Sequence, residues 1–243
     1  AELKFDGVDI NMGCPDRSIE KQGAGAALMK NPALAREIIA AAREGAPTLP
    51  VSVKTRIGYN KNEIETWLPE LLKEEPVAVT LHARTRKEMS KVPAHWDVVK
   101  RAVEIRNEAG SETLIIGNGD VLSLEEARRR AQESGADGVV LGRAIFGNPW
   151  LFSRRENNPE QGRRAVSIEE RLRVMLEHTK LFEELLGGVK NFSVMKKHYK
   201  AYANGFHGAK ELRMKLMETQ NVAEVENIVQ EFLTNPHEEK SVR

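Results

Sequence analysis

Only one cysteine, Cys14, occurs in the 243 residues. That excludes an internal disulfide and fits a reducing, cytoplasmic setting. No stretch approaches the roughly 20 uncharged apolar residues that a membrane span needs, so no transmembrane helix is expected. The first residues, Ala-Glu-Leu-Lys-Phe, read neither as a signal peptide nor as an initiator methionine. The formal net charge is only +1, so overall charge gives no sign of a nucleic-acid partner. Any such signal must come from local clustering. Low-complexity segments are absent, and no metal site is expected. What is present is an ordinary balance of 40% hydrophobic and 30% charged residues. That suffices for one large domain or two modest ones.

The first 150 residues repeat one pattern. Short β-branched runs at Gly7–Met12, Val51–Arg56, Val77–Arg84, Thr113–Gly119 and Gly138–Arg143 predict five strands. Between them, Pro32–Arg43, Asn62–Glu74, Trp96–Glu108 and Ser123–Glu133 carry apolar residues at helical spacing, with Ser123 and Glu126 forming a capping box. Strands separated by helices imply right-handed βαβ units and a parallel sheet.

Within the strands Val8, Ile10 and Met12 oppose Asp9 and Asn11; Val51 and Val53 oppose Ser52, Lys54 and Arg56; Val79 and Leu81 oppose Thr80, His82 and Arg84. A doubly wound sheet, covered on both faces, would read as nearly continuous apolar runs. One polar face, growing more charged toward the strand ends, fits instead the mouth of a (β/α)₈ barrel. The expected fold class is therefore α/β: a partial (β/α)₈ TIM barrel with its last five strands, the other three N-terminal to Ala1, followed by a small all-α domain. Residues 1–153 form the expected barrel portion and 154–165 a linker. Residues 166–236 form the helical domain, opened by a second capping box at Ser167 and Glu170, and 237–243 are a tail.

Cys14 lies in Asn11-Met12-Gly13-Cys14-Pro15, directly after the first strand. A thiol is mostly protonated near neutral pH, so it can donate a proton or, if a neighbour lowers its pKa, act as a nucleophile. A buried structural cysteine is the alternative, and the strand-terminal turn favours the reactive reading. Lys54, Arg56, His82, Arg84 and Arg86 end the second and third strands; converging cations suit an anionic ligand such as a phosphate or a reduced flavin, against salt bridges around a rim. His95, at a helix start, reads as structural. Gly117-Asn118-Gly119-Asp120 and Gly142-Arg143 end the last two strands, where barrels bind phosphate. Gly23–Ala27 reads as a tight loop into a packed helix, since it lacks the pattern and lysine of a P-loop. Lys190, Lys196, Lys197, Lys200, Lys210, Arg213 and Lys215, interleaved with Tyr199, Tyr202 and Phe206, suit RNA contact. A solvated basic face with core aromatics is the alternative.

DINMGCPDRSIEKQGAGAALM, VSVKTRIGY, VTLHARTR, IIGNGDV and DGVVLGRAIFGNPWLF, in this order and spacing, resemble the tRNA-dihydrouridine synthases, and MKKHYKAYANGFHGAKELRMKLME resembles that family's C-terminal helical domain. The resemblance implies an NADPH-driven, FMN-dependent reduction of the C5=C6 bond of uridine in tRNA. By the same resemblance, Cys14 is the proton donor and Lys54 and His82 contact the flavin. Asn118, Gly119, Asp120, Gly142 and Arg143 hold its ribityl phosphate; Asn11, Arg84 and Arg86 face a flipped uridine; Lys196, Lys197 and Lys200 contact tRNA. It also implies that the family's first three strands, with a Pro-Met-Ala turn and a glutamine beside the flavin, precede Ala1. The chain without them is expected to bind FMN weakly or not at all. A monomer is expected. Two other readings stay open: another FMN-barrel oxidoreductase acting on a small enone or pyrimidine, which would not need the basic helices, and a non-catalytic RNA-binding remnant.

Overall fold

The computed structural model describes residues 4–153 and 166–234. The expected linker, the last residues of the expected helical domain and the tail lie outside them. The chain divides into two compact units, Ala1–Gly142 and Arg143–Arg243.

In the first unit five strands, β1 (Val8–Asn11), β2 (Val51–Arg56), β3 (Ala78–His82), β4 (Leu114–Asn118) and β5 (Gly138–Val140), form one sheet in the order β1-β2-β3-β4-β5. All pairings are parallel, with Asn11 opposite Lys54, Arg56 opposite His82, and His82 opposite Asn118. A doubly wound sheet reverses its order at a switch point; these strands keep strict chain order. The helices between them are α1 (Arg17–Glu20), α2 (Pro32–Gly45), α3 (Ile64–Leu72), α4 (Trp96–Glu108) and α5 (Leu124–Ser134). Ser123 caps α5 by accepting from the Glu126 N–H at 3.1 Å, while the Glu126 carboxylate accepts from the Leu122 N–H at 3.0 Å. The Ser123 half of the expected capping box forms, whereas the Glu126 carboxylate turns to the N–H of Leu122 and not to that of Ser123.

Alternation along the strands decides where the core sits. Val51, Val53, Val79, Leu81 and Ile115 are buried on one face, against Ile39 of α2, Trp67 and Leu68 of α3, Val99 and Ala102 of α4 and Ala127 of α5. Ser52, Lys54, Thr80 and His82 between them occupy the other face, less covered. The strand that the sequence extends to Arg143 ends at Val140, and Arg143 opens a short 3₁₀ turn, Arg143–Ile145.

The second unit carries α6 (Ile168–Leu186), α7 (Lys196–Tyr202), α8 (Ala209–Glu218) and α9 (Val222–Thr234). Ser167 caps α6 through the Glu170 N–H at 3.1 Å. Its core gathers Leu172, Met175, Met195, Tyr199, Tyr202, Leu212 and Val225. Residues after Gly142 pack into this unit, with the Phe146 ring 5.5 Å from His198. The boundary therefore falls at Gly142, earlier than the one expected after Ser153. Among the described residues no helix is long and apolar enough to cross a membrane.

Candidate active site at the strand ends

Past β1 the chain turns sharply, and the turn is fixed at nearly every polar group. The Asn11 Oδ1 accepts from both the Gly13 N–H (3.1 Å) and the Cys14 N–H (3.0 Å), an Asx turn that bends the chain out of the sheet. Thr55 Oγ1 donates to the Met12 carbonyl at 3.2 Å, and Arg56 Nε donates to the Gly13 carbonyl at 2.9 Å. The Cys14 carbonyl accepts from the Ala26 N–H at 2.9 Å. Gly25 sits behind it with φ +60°, where a Cβ would lie 2.8 Å from the Cys14 carbonyl oxygen and 3.1 Å from its Cβ. Only glycine fits this backbone approach. The Cys14 side chain, held this way, is partly exposed.

Beside it, Arg56 is almost wholly buried and also donates to the carbonyls of Thr85 and Met89, both at 3.2 Å. Lys54 is partly buried, and among the described residues no hydrogen bond or ion pair holds its ammonium. Burial, reinforced by Arg56, pulls its pKa below the usual lysine value. His82, next along, has its pKa lowered to about 3 by burial and then by Arg56, Lys54 and Arg84, so the ring is neutral at physiological pH.

Several residues expected to face a ligand turn to the protein instead. Arg84 pairs with Asp120 and donates to the Val92 carbonyl at 2.6 Å. Arg86 forms a two-pronged pair with Glu20, its Nε at 2.7 Å, which ties α1 to the loop after β3. Asn11 Oδ1 is committed to the cysteine turn, and the Asp120 carboxylate also accepts from the Ala94 N–H at 3.0 Å. Asn118 Nδ2 bridges to the Val140 carbonyl at 2.9 Å, joining β4 to β5. Gly119, at φ +136°, brings the chain so near Ala94 that a Cβ would lie 2.8 Å from that methyl. A Cβ at Gly142 would meet nothing within 4 Å, and Arg143 opens the second unit. The strand ends thus bring together Cys14, Lys54 and His82 from adjacent strands. The fixing residues Thr55, Glu20 and Gly25 carry no sequence signal that names their partners.

The basic segment of the second unit splits in two. Lys196, Lys197 and Lys200 lie on α7, the last two exposed, and among the described residues none makes a hydrogen bond or ion pair. Arg213 donates to the Ala203 carbonyl at 2.6 Å, and Lys215 pairs with Glu231 at 3.0 Å. Tyr199 and Tyr202 are core residues, 0% and 4% exposed, and Phe206 packs against that core. They offer no stacking platform for bases: of the two readings of this segment, the aromatics follow the one that makes them core residues beneath a solvated basic face.

Comparison with known proteins gives a consistent picture. The family model for dihydrouridine synthase (Dus) matches residues 1–237. A probable tRNA-dihydrouridine synthase of Staphylococcus aureus (strain MRSA252) is 38% identical over 234 residues, 96% of this chain and 69% of that protein. Probable tRNA-dihydrouridine synthase 2 of Bacillus subtilis (strain 168) matches with the same identity and coverage. Among solved structures, 2,3-dimethylmalate lyase superposes with a TM-score of 0.44 at 13% identity, covering 88% of this chain and 84% of that one; a likeness this loose carries no weight for fold or function.

Proposed function

Because the chain belongs to the dihydrouridine synthase family, we propose that it reduces uridine to 5,6-dihydrouridine in tRNA, with FMN as cofactor and NADPH as electron source. The observation that carries the reading is the strand-end group itself: a thiol, an ammonium that no hydrogen bond or ion pair holds among the described residues, and a neutral imidazole, at the ends of three neighbouring strands. We read the sheet as an arc of a (β/α)₈ barrel, whose active sites lie at this end of the strands.

The donor set fits a flavin. Lys54 would hold the anionic edge of the reduced ring and His82 one of its hydrogen-bond acceptors. The backbone from Asn118 to Asp120, together with Gly142, would take the ribityl phosphate, with Gly119 allowing the close approach and Gly142 opening on free space. When bound, FMN would supply hydride to C6 of the uracil and be re-reduced by NADPH.

The protein's own part is a proton. Cys14 delivers it from Sγ to C5, and the thiolate left behind lies in the field of Arg56, whose charge attracts it. The turn built by Asn11, Thr55, Arg56 and Gly25 keeps Sγ at a fixed place, which general acid catalysis requires. Solvent reprotonates the thiolate, since Cys14 is partly exposed. Lys196, Lys197 and Lys200, which no described residue pairs, supply positive charge for tRNA phosphates.

The test is reconstitution of the full-length protein with FMN, NADPH and an unmodified tRNA transcript, reading dihydrouridine as a mass gain of two hydrogens. Wild type should form it, and Cys14→Ala should be about 10²- to 10⁴-fold slower with FMN binding retained. No product from wild type, or full activity of the variant, overturns the proposal.

A further inference from the structure

One contact at the strand ends has a single chemical solution. Arg84, 3% exposed, points Nη1 at His82 Nε2, 3.3 Å away. A guanidinium has five N–H donors, no acceptor and no deprotonated form within reach in a protein. The hydrogen bond therefore runs from Arg84 to His82, and Nε2 must carry the lone pair. In a neutral imidazole the proton then sits on Nδ1. Arg84 cannot swing away to relax this choice: Nη2 is paired with Asp120, Nε donates to the Val92 carbonyl at 2.6 Å, and Asp120 is itself tied to the Ala94 N–H at 3.0 Å. Among the described residues, His82 Nδ1 has no hydrogen-bond partner.

We propose that Arg84, braced by Asp120, is a positioning residue that locks His82 in the Nδ1–H tautomer, so that His82 presents its ligand with a hydrogen-bond donor and never a base. The ligand atom it meets is an acceptor, a carbonyl oxygen or a ring nitrogen bearing a lone pair. Assigning that acceptor to the flavin rests on the function proposed above; the tautomer does not. Charge around the ring acts in the same direction. Lys54 and Arg56 on β2 and Arg84 beyond β3 all disfavour a second proton, against Asp120 alone, and the pKa near 3 follows from burial and this cationic ring.

The tautomer can be read directly from long-range ¹⁵N–¹H correlation spectra of the cofactor-free protein, with His82 assigned by the peaks lost in His82→Gln. The expected pattern is a pyridine-like shift at Nε2 and a pyrrole-like shift at Nδ1, unchanged down to pH 5. Arg84→Met should shift the ring toward the Nε2–H form and raise the pH at which it titrates. It should also weaken FMN binding about tenfold, as expected for one misplaced donor. A wild-type spectrum with the proton on Nε2 overturns the lock without any variant, as does a folded Arg84→Met whose His82 pattern is unchanged. Should Arg84→Met fail to fold, Asp120→Asn, which loosens the same brace, must shift the pattern in the same direction or the role of the brace is refuted. A full-length protein with the Nδ1–H pattern that binds no FMN would overturn the flavin reading and leave the lock standing.

Discussion

In the first unit the arginines at the strand ends, Arg56, Arg84 and Arg86, all close on carbonyls or carboxylates of the same unit. On α7 of the second unit, Lys196, Lys197 and Lys200 close on nothing among the described residues. Both sets look alike in the sequence, as positive charge gathered in a short stretch. The difference lies in chemistry and cover. A guanidinium can satisfy several backbone carbonyls at once and so can be buried, whereas an exposed ammonium stays hydrated and available. Positive charge inside the first unit shapes a site, and positive charge on α7 remains free to meet phosphates.

Removing a buried partner should break this contrast most visibly. Arg86→Ala leaves Glu20, whose side chain is 11% exposed, without its counter-ion; the expected loss is about 2 kcal/mol, read from the urea midpoint. Gly25→Ala forces a methyl against the Cys14 carbonyl in a left-handed conformation and should cost about 1–3 kcal/mol. It should also slow dihydrouridine formation, because the strain falls on the cysteine turn.

Acid sharpens the comparison from another side. His82 is held near pKa 3, and His178 and His198 in the second unit are lowered by burial as well, from an ordinary 6.5. Each binds a proton more readily unfolded than folded, so below about pH 6.5 the unfolded chain gains protons that the folded one refuses. The associated stability is complete above that pH and drains away as the pH falls toward 3. The gap in urea midpoint between wild type and His82→Gln should change between pH 7.5 and 4.5 more than the corresponding gap for His178→Gln. An equal change would mean that the cationic ring around His82 adds nothing to burial.

The smallest structural effect belongs to α7. Replacing Lys196, Lys197 and Lys200 together by Ala should move stability by no more than about 0.5 kcal/mol per site. The same variant should weaken tRNA binding and lower the slope of log affinity against log salt by about 2–3. An unchanged slope would remove α7 from the tRNA contact.

The sheet was legible because its physics is local. Period-two alternation in β2 and β3 and the serine caps at Ser123 and Ser167 are written within a few residues. The cysteine turn was legible as a position, but not as a set of contacts. Asn11 at a strand end looks the same whether its amide faces a ligand or folds back on the Cys14 N–H. Arg86 carries no mark of Glu20, 66 residues earlier. One question left open had its signal on the page: Tyr199 and Tyr202, three apart on α7, follow the period of a buried helix stripe, and both are core.

The clamps on Cys14 also set a timetable. Cys14 is made before the residues that fix its turn: Thr55 and Arg56 reach the Met12 and Gly13 carbonyls across 43 residues, and Arg86 grips the neighbouring helix across 66. A growing chain that has not yet released Thr55 and Arg56 holds the cysteine without the geometry that gives it a task. The reactive group emerges before the contacts that place it, so a product cut short before residue 55 carries a thiol held by its local turn alone.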